Sequence, residues 1–330
     1  MRLKIAQAIR FVGVRVSPVV LAGQFAIAEQ KVKYNMRNYA AGQSAAAGAE
    51  VAALTDSVHM EAQLSLTEQD MLYAVESGIC IPAVPHKLEA LTIPGVTGHF
   101  SQRRVEGSTT GVINRVGRTR LTTENADATI KAVRAHFTAR NQRFIWIVTE
   151  ELSTPPDLTA RLENAGFTRR FEMAGMSLTE LIRPITLNPA VRVQRANASD
   201  NEKVSKLYQH AFPLDQDVAD IFVDLIDALA GAHYLAYFEN VDEPIGVASM
   251  FYTPDPSVAV LEAAATLEAY RGQGVYRSLL ARRLADAQAD AMQLAVIHAI
   301  RTTSQPVLSK LGFVERCNMI IYVWDPAEAA

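Results

Sequence analysis

Apolar and polar positions in the C-terminal half change period in a readable order. Val191-Arg192-Val193-Gln194 alternates and predicts a strand. Ser199 and Glu202 form a capping-box pair that predicts a helix through about His210. Phe222, Leu225, Ile226 and Leu229 keep helical spacing. Tyr234 to Phe238 and Ile245 to Tyr252 read as strands around a turn at Asp242-Glu243-Pro244. Val258 to Thr266 reads as a third, mostly buried strand. The helix after it carries Val275, Leu279, Leu280, Leu284 and Ala287 on one side, with Arg277, Arg282 and Arg283 mostly on the other. Leu294 to Ile300 reads as a strand, Ser304 to Leu311 as a short helix and Ile320 to Trp324 as a closing strand. This order predicts α/β layers around one mixed sheet.

The first half repeats part of that pattern. Leu162, Gly166, Phe167, Arg170 and Met173 recur as Leu308, Gly312, Phe313, Arg316 and Met319, each 146 residues later. In both places a short helix ends at a Gly, the usual left-handed helix stop, and a Phe opens an apolar strand. Each copy follows another strand-like run, Phe144 to Val148 and Leu294 to Ile297. The pattern is a duplicated strand–helix–strand unit. Between the copies, Arg183 to Ala190 holds Pro184 and Pro189 and marks a boundary.

Residues 1–60 stand apart. Arg2, Lys4, Arg10 and Arg15 precede the first acid, Glu29, and an apolar stretch from Val16 to Ala28 is broken by Pro18 and Gln24. Three readings stand: a secretory signal, an Arg-rich transit peptide, or an extra arm. Residues 40–54 are rich in Ala and Gly and read as a weak helix or linker. The expected organisation is an N-terminal arm or targeting segment (1–60), a first domain (61–185) and a second (190–330).

Composition narrows the chemistry. With 330 residues, 49% apolar and 20% charged, the chain has the material for two packed domains. A net charge of −3 argues against a broad nucleic-acid footprint. Cys80 and Cys317 cannot make a disulfide scaffold or a four-ligand zinc site by themselves. No stretch of eighteen uninterrupted apolar residues predicts a membrane span. The seven histidines (His59, His86, His99, His136, His210, His233, His298) show no paired metal-ligand spacing, so no metal is expected. Trp146, Trp324 and Cys317 read as core. Arg103-Arg104 and Arg169-Arg170 read as solvated faces.

The candidate site lies where a strand meets a helix, at Thr266-Leu267-Glu268-Ala269-Tyr270-Arg271-Gly272-Gln273-Gly274. Gly272 and Gly274 allow backbone amides to face an anion, the helix from Val275 offers its N-terminus, and Arg271 adds a fixed charge. The loop therefore suits a pyrophosphate. It lacks the Lys-Ser/Thr of a triphosphate loop, and Arg277 stands where a dinucleotide fingerprint needs a third Gly.

This stretch resembles the acetyl-CoA loop of the GNAT N-acetyltransferase superfamily, Arg/Gln-x-x-Gly-x-Gly/Ala. Arg271 and Gly274 match it; Tyr276 departs from its last position. Pro306 to Phe313 resembles the family's last motif, and the resemblance covers Val191 to about Trp324. Residues Phe137 to Leu178, with Trp146, Pro155, Pro156, Leu158 and Ala165-Gly166-Phe167, resemble the leading domain of tandem GNAT proteins. The repeat would put the first domain's phosphate loop near Asn125, in Leu121-Thr122-Thr123-Glu124-Asn125-Ala126-Asp127, which has no glycine. Glu124 and Asp127 suit a helix start and repel a pyrophosphate. The resemblance thus implies two GNAT-like mixed-sheet domains in tandem, the first degenerate, of α/β (α+β) class.

What it implies for chemistry is direct transfer from acetyl-CoA to an amine, in a cleft between the strand ending near Leu267 and the strand Leu294 to Ile300. Thr266, Leu267, Arg271, Gly272, Gln273, Gly274, Val275 and Tyr276 would hold the acetyl-CoA. Backbone N–H groups would stabilise the oxyanion. For the base, Glu262 comes first: it sits in an apolar strand where burial raises a carboxyl's basicity. His298 comes second, with a pKa naturally near working pH. Many GNAT enzymes place an acidic Tyr where this chain has Leu308, leaving Tyr276, Ser309 or water for the leaving thiolate. Two other readings stand: a non-catalytic acyl-CoA-binding regulatory protein, and an acyltransferase for a thiol-precursor sugar amine. No nucleic-acid or membrane partner is expected. Acetyl-CoA use implies the cytoplasm, with organelle import through residues 1–28 as the alternative.

Overall fold

The computed structural model describes residues 66–80, 84, 87–102, 113–212, 214–253 and 258–328. The N-terminal segment, His59, His86 and Arg103-Arg104 lie outside them. In chain order the elements are α1 (Glu68–Ile79), β1 (Leu88–Ala90), β2 (Thr97–Ser101), β3 (Arg115–Gly117), α2 (Ala126–Thr138), β4 (Phe144–Thr149), α3 (Leu158–Asn164) and β5 (Thr168–Leu178). The second half follows with β6 (Val191–Arg195), α4 (Asn201–Ala211), α5 (Gln216–Ala228), β7 (Ala232–Phe238), β8 (Gly246–Tyr252), β9 (Val258–Thr266), α6 (Val275–Ala289), β10 (Leu294–Ile300), α7 (Ser304–Lys310) and β11 (Val314–Trp324). The predicted element order of the second half holds throughout. Its first helix starts differently. Asn197 and Asp200, not Ser199 and Glu202, make the capping box, which opens a single 3-10 turn before α4.

All eleven strands join one mixed sheet, in the order β1-β2-β3-β4-β11-β5-β10-β9-β8-β7-β6. The centre of that order is an exchange. β11, the last strand of the second half, pairs antiparallel with β4, with Ile320 opposite Val148. β5, the last strand of the first half, pairs antiparallel with β10, with Met176 opposite Ile297. β5 and β11 then pair with each other. Each half donates its closing strand to the other.

Helices cover both faces. On one face, Ile130, Val133 and Phe137 of α2 and Leu158 and Leu162 of α3 pack with Phe144, Trp146, Phe167, Tyr322 and Trp324. On the same face, Leu279, Leu280 and Leu284 of α6 and Leu308 of α7 pack with Ala174, Met176, Ala259 and Leu261. The other face carries α1 over β5, β10 and β11, and α4 and α5 over β7 to β9. Trp146 and Trp324 are core, as predicted. Arg283 is not on the solvated side of α6 as the spacing predicts: it is fully buried.

Candidate functional site

Gly272 and Gly274 both adopt the left-handed conformation, at φ +76° and +84°. Gly274 is the N-cap of α6, so the first amides of that helix point out of the loop without intrahelical partners. Nothing lies within 4 Å of where a Gly272 side chain would project, and Arg271 beside it is exposed. A left-handed cradle, open space, a helix N-terminus and a guanidinium meet here, which is what a pyrophosphate needs. The linker between the halves supports the loop: Asn188 Nδ2 donates to the Gln273 carbonyl at 2.9 Å. Leu267 N donates to Ile245 O, which ties down the loop's other end. The Thr266 hydroxyl is buried and, among the described residues, has no partner.

Beneath the loop the sheet splits. β9 and β10 pair in parallel only from Val258 to Val260, opposite Leu294 to Val296. Beyond that point the two strands diverge, and both run on for several residues with their facing edges unpaired. On its other side β9 bulges. Ser249 pairs with Glu262, and Val247 pairs with Ala265, so Ala263 and Ala264 have no ladder partner. Ala263 sits at φ +38°, a conformation that costs a non-glycine residue about 1–2 kcal/mol. Arg283, the residue placed wrongly from the sequence, answers the bulge. Its Nη1 donates to Ser249 O at 3.1 Å and to Glu262 O at 3.3 Å. Bonds from a charged donor of this kind contribute about 1.5–3 kcal/mol each.

The split opens a cavity of about 460 Å³. Glu262, His298, Tyr208 and Tyr276 line it, so the structure brings both predicted bases to one place. Glu262 is not alone in an apolar wall, as its strand suggests. Arg115 Nη2 of β3 lies 3.4 Å from its Oε1, while Arg115 Nη1 donates to Ile79 O at 3.0 Å. Among the described residues Glu262 Oε2 has no partner. His298 departs from its expected near-neutral pKa. Burial pushes it down, and the Glu262 carboxylate offsets that only partly. Its Nε2 is 2.8 Å from Val75 O. A carbonyl can only accept, so Nε2 carries the proton and Nδ1 keeps a lone pair, buried and unpartnered. Burial pushes the Tyr276 phenol up. Among the described residues its hydroxyl has no hydrogen-bond partner. Leu308 is sealed in the core. Burial raises the thiols of Cys80, to about 12, and of Cys317, and both are buried.

Behind Glu262 runs a directed chain of hydrogen bonds that sequence reading missed. His233 Nε2 faces Val223 O at 3.3 Å, so it donates. His233 Nδ1 then accepts from Ser249 Oγ at 2.6 Å, and Ser249 Oγ accepts from the Tyr208 hydroxyl. The polarity is fixed at the carbonyl end and passes to Tyr208, whose oxygen can only accept a further bond. The available signal was His233 and Ser249 within two largely apolar strands; both are buried, as is Tyr208 on the more polar α4.

The corresponding place in the first half is closed. The link between β4 and α3 has eight residues (150–157), against three (301–303) between β10 and α7. The extra length lays Thr154 along the segment after β3. Thr154 N donates to Thr119 O at 3.1 Å, Leu121 N to Thr154 O at 3.3 Å, and Thr154 Oγ1 to Leu121 O at 2.8 Å. Arg120 and Thr154 form a parallel bridge. The edge that stays open between β9 and β10 is thus filled by the chain itself. Asn125, where the repeat puts the counterpart of the phosphate loop, is the N-cap of α2, with φ −101° and no glycine cradle.

Residues 201–313 match the model of the acetyltransferase (GNAT) family. A chain from Kribbella flavida described as a GCN5-related N-acetyltransferase superposes on 79% of this chain and 96% of its own length, with TM-score 0.59 and 15% identity. A GCN5-related N-acetyltransferase from Sphaerobacter thermophilus superposes on 70% and 77%, with TM-score 0.51 and 12% identity. A Staphylococcus epidermidis protein described as functionally unknown superposes on 73% and 95%, with TM-score 0.52 and 12% identity. At these identities the likeness is one of fold. No curated protein sequence is significantly similar to the chain. Among the described residues no group of three or more His, Cys, Asp or Glu is placed to hold a metal, and no helix is long and apolar enough to cross a membrane.

Proposed function

Because residues 201–313 form a domain of the acetyltransferase (GNAT) family, we propose that this protein moves an acetyl group from acetyl-CoA to an amine by direct attack, in the split between β9 and β10. The observation that carries the reading is the coincidence of two features. A left-handed glycine cradle at the start of α6 sits directly above an unpaired strand edge. Arg271, the amides of Gly272 to Tyr276 and the helix dipole would hold the pyrophosphate. The free edges of β9 and β10, with Thr266 and Leu267, would hold the amide-bearing arm. Acetyl-CoA supplies the activated carbonyl.

The chain's own residues handle the protons. Glu262 Oε2 takes the amine proton, and His298 Nδ1 stands as the second acceptor. Tyr276 holds a phenolic proton at the cavity wall, the role that Leu308 cannot fill. Ala263 and Ala264, free of ladder partners, offer backbone N–H groups to a developing negative charge. In this reading 190–330 is the catalytic domain. The preceding domain, 61–185, is silent toward acetyl-CoA because Thr154 occupies its strand edge. Acetyl-CoA is an intracellular compound, so the reading carries a cytoplasmic location. The competing reading, a binding protein without catalysis, draws on the buried Leu308.

Calorimetric titration of the full chain with acetyl-CoA tests this. One site per chain is expected, with Arg271→Glu weakening it at least a hundredfold. Two sites would overturn the silent first domain. No binding would overturn the acetyl-transfer reading.

A further inference from the structure

The cavity beside Glu262 has a body and a head of different character. Its wall is largely apolar: Phe222 of α5, Ile321 and Val323 of β11 and Met173 of β5 all line it. Phe171, Ile300 and Phe212 also line it, and they are 47%, 38% and 36% exposed. Large apolar side chains scattered singly over a surface need no explanation, but three gathered around one opening do. The cationic groups at the wall already face carboxylates: Arg115 faces Glu262 at 3.4 Å, and Arg143 faces Asp325 at 3.0 Å and Glu328 at 3.7 Å. A second charge drawn inside the cavity would lose its water and meet Phe222 and Ile321 instead, an unfavourable exchange. An amine head fares differently. Glu262 Oε2 is without a partner among the described residues, and the side chain keeps some exposure to the cavity. It suits an ammonium or amine N–H.

Resting on the acetyl-transfer reading, we propose that the acceptor is a primary amine carried on an uncharged, apolar body, an arylalkyl- or alkylamine. The head meets Glu262, and the body lies against Phe171, Phe212 and Ile300. The volume, about 460 Å³, is in the range of small-molecule sites. Polyamines and amino acids, which carry a second charge, are excluded as preferred acceptors.

The test uses the full chain at saturating acetyl-CoA, following thiol release with phenethylamine, hexylamine, spermidine and lysine. The two apolar amines are expected to exceed the others at least tenfold in kcat/KM. Phe171→Ser, at a half-exposed position whose change leaves the core intact, should raise the KM for phenethylamine about tenfold. Its acetyl-CoA affinity by calorimetry should stay the same. Phenethylamine should also raise the melting temperature of the wild-type chain, a readout independent of turnover. Equal or faster turnover of spermidine or lysine overturns the acceptor class and leaves acetyl transfer standing. Turnover of none of the four by a chain that binds acetyl-CoA also overturns it. A chain that does not bind acetyl-CoA overturns the acetyl-transfer reading itself, and the calorimetry separates that case from the others.

Discussion

Met173 and Met319 stand opposite each other in the β5–β11 ladder, and they are the two methionines that the 146-residue repeat makes equivalent. In an antiparallel pair of related strands, a residue meets its own counterpart only where a two-fold axis crosses the ladder. The duplicated halves are therefore related by a pseudo-two-fold through this pair. The exchange of closing strands is reciprocal because of it.

Neither half keeps its own closing strand. β11 has only β4 and β5 as neighbours, and both belong to the first half. A fragment spanning 187–328 would leave β11 without a partner and expose the edge of β10. It is expected to show no cooperative thermal transition by circular dichroism, while the full chain melts cooperatively. A fragment that melts cooperatively at low concentration would show that β11 can replace β5 beside β10.

Glu262→Gln keeps the side chain's shape and removes its basicity. Loss of a general base costs on the order of 10²–10⁴ in rate. We expect kcat to fall by that factor while calorimetric acetyl-CoA binding is retained. Retained binding without turnover in both wild type and variant would favour the non-catalytic reading. An unaltered kcat would remove Glu262 from proton transfer.

Tyr208→Phe removes one oxygen and keeps the ring against Phe222. It removes the donor to Ser249 inside the buried hydrogen-bond chain, so the melting temperature should fall while the KM for the amine stays unchanged. A raised KM would show that the Tyr208 oxygen reaches the acceptor.

Three buried histidines make stability depend on pH. Burial is the first cause of a lowered pKa for His99, His233 and His298, and His99 falls to about 3. The unfolded chain therefore binds protons below about pH 6.5 that the folded chain refuses, and stability falls as pH drops through that window. His99 alone should remove about 1.4 kcal/mol per pH unit between 6.5 and about 3. Above pH 6.5 these groups contribute no pH dependence. Urea titrations at pH 7.5, 5.5 and 4.5 should show a falling midpoint, and His99→Gln should flatten the slope. A midpoint independent of pH would mean that His99 is solvated.

Local signals carried much of this molecule. The glycine cradle, the helix after it and the Gly-Phe stops all depend on residues within one turn of each other, and they lie where their spacing puts them. The strand exchange was out of reach, because β5 and β11 have the same apolar character whichever neighbour they take. The Arg115 partner of Glu262 was equally hidden: the two are separated by 147 positions, and only the fold joins them. Arg283 was misplaced for a different reason. Helical spacing assigns a face, but α6 lies over a bulge whose carbonyls recruit a guanidinium from within the buried side.

The exchange also dictates when the protein can fold. β4 emerges from the ribosome early, but its neighbour β11 is the last strand described. The first half must wait as an incomplete sheet with an open edge, a state prone to wrong pairing. Vectorial synthesis cannot finish one half and then begin the other. The first half therefore completes its sheet only once β11 has been made.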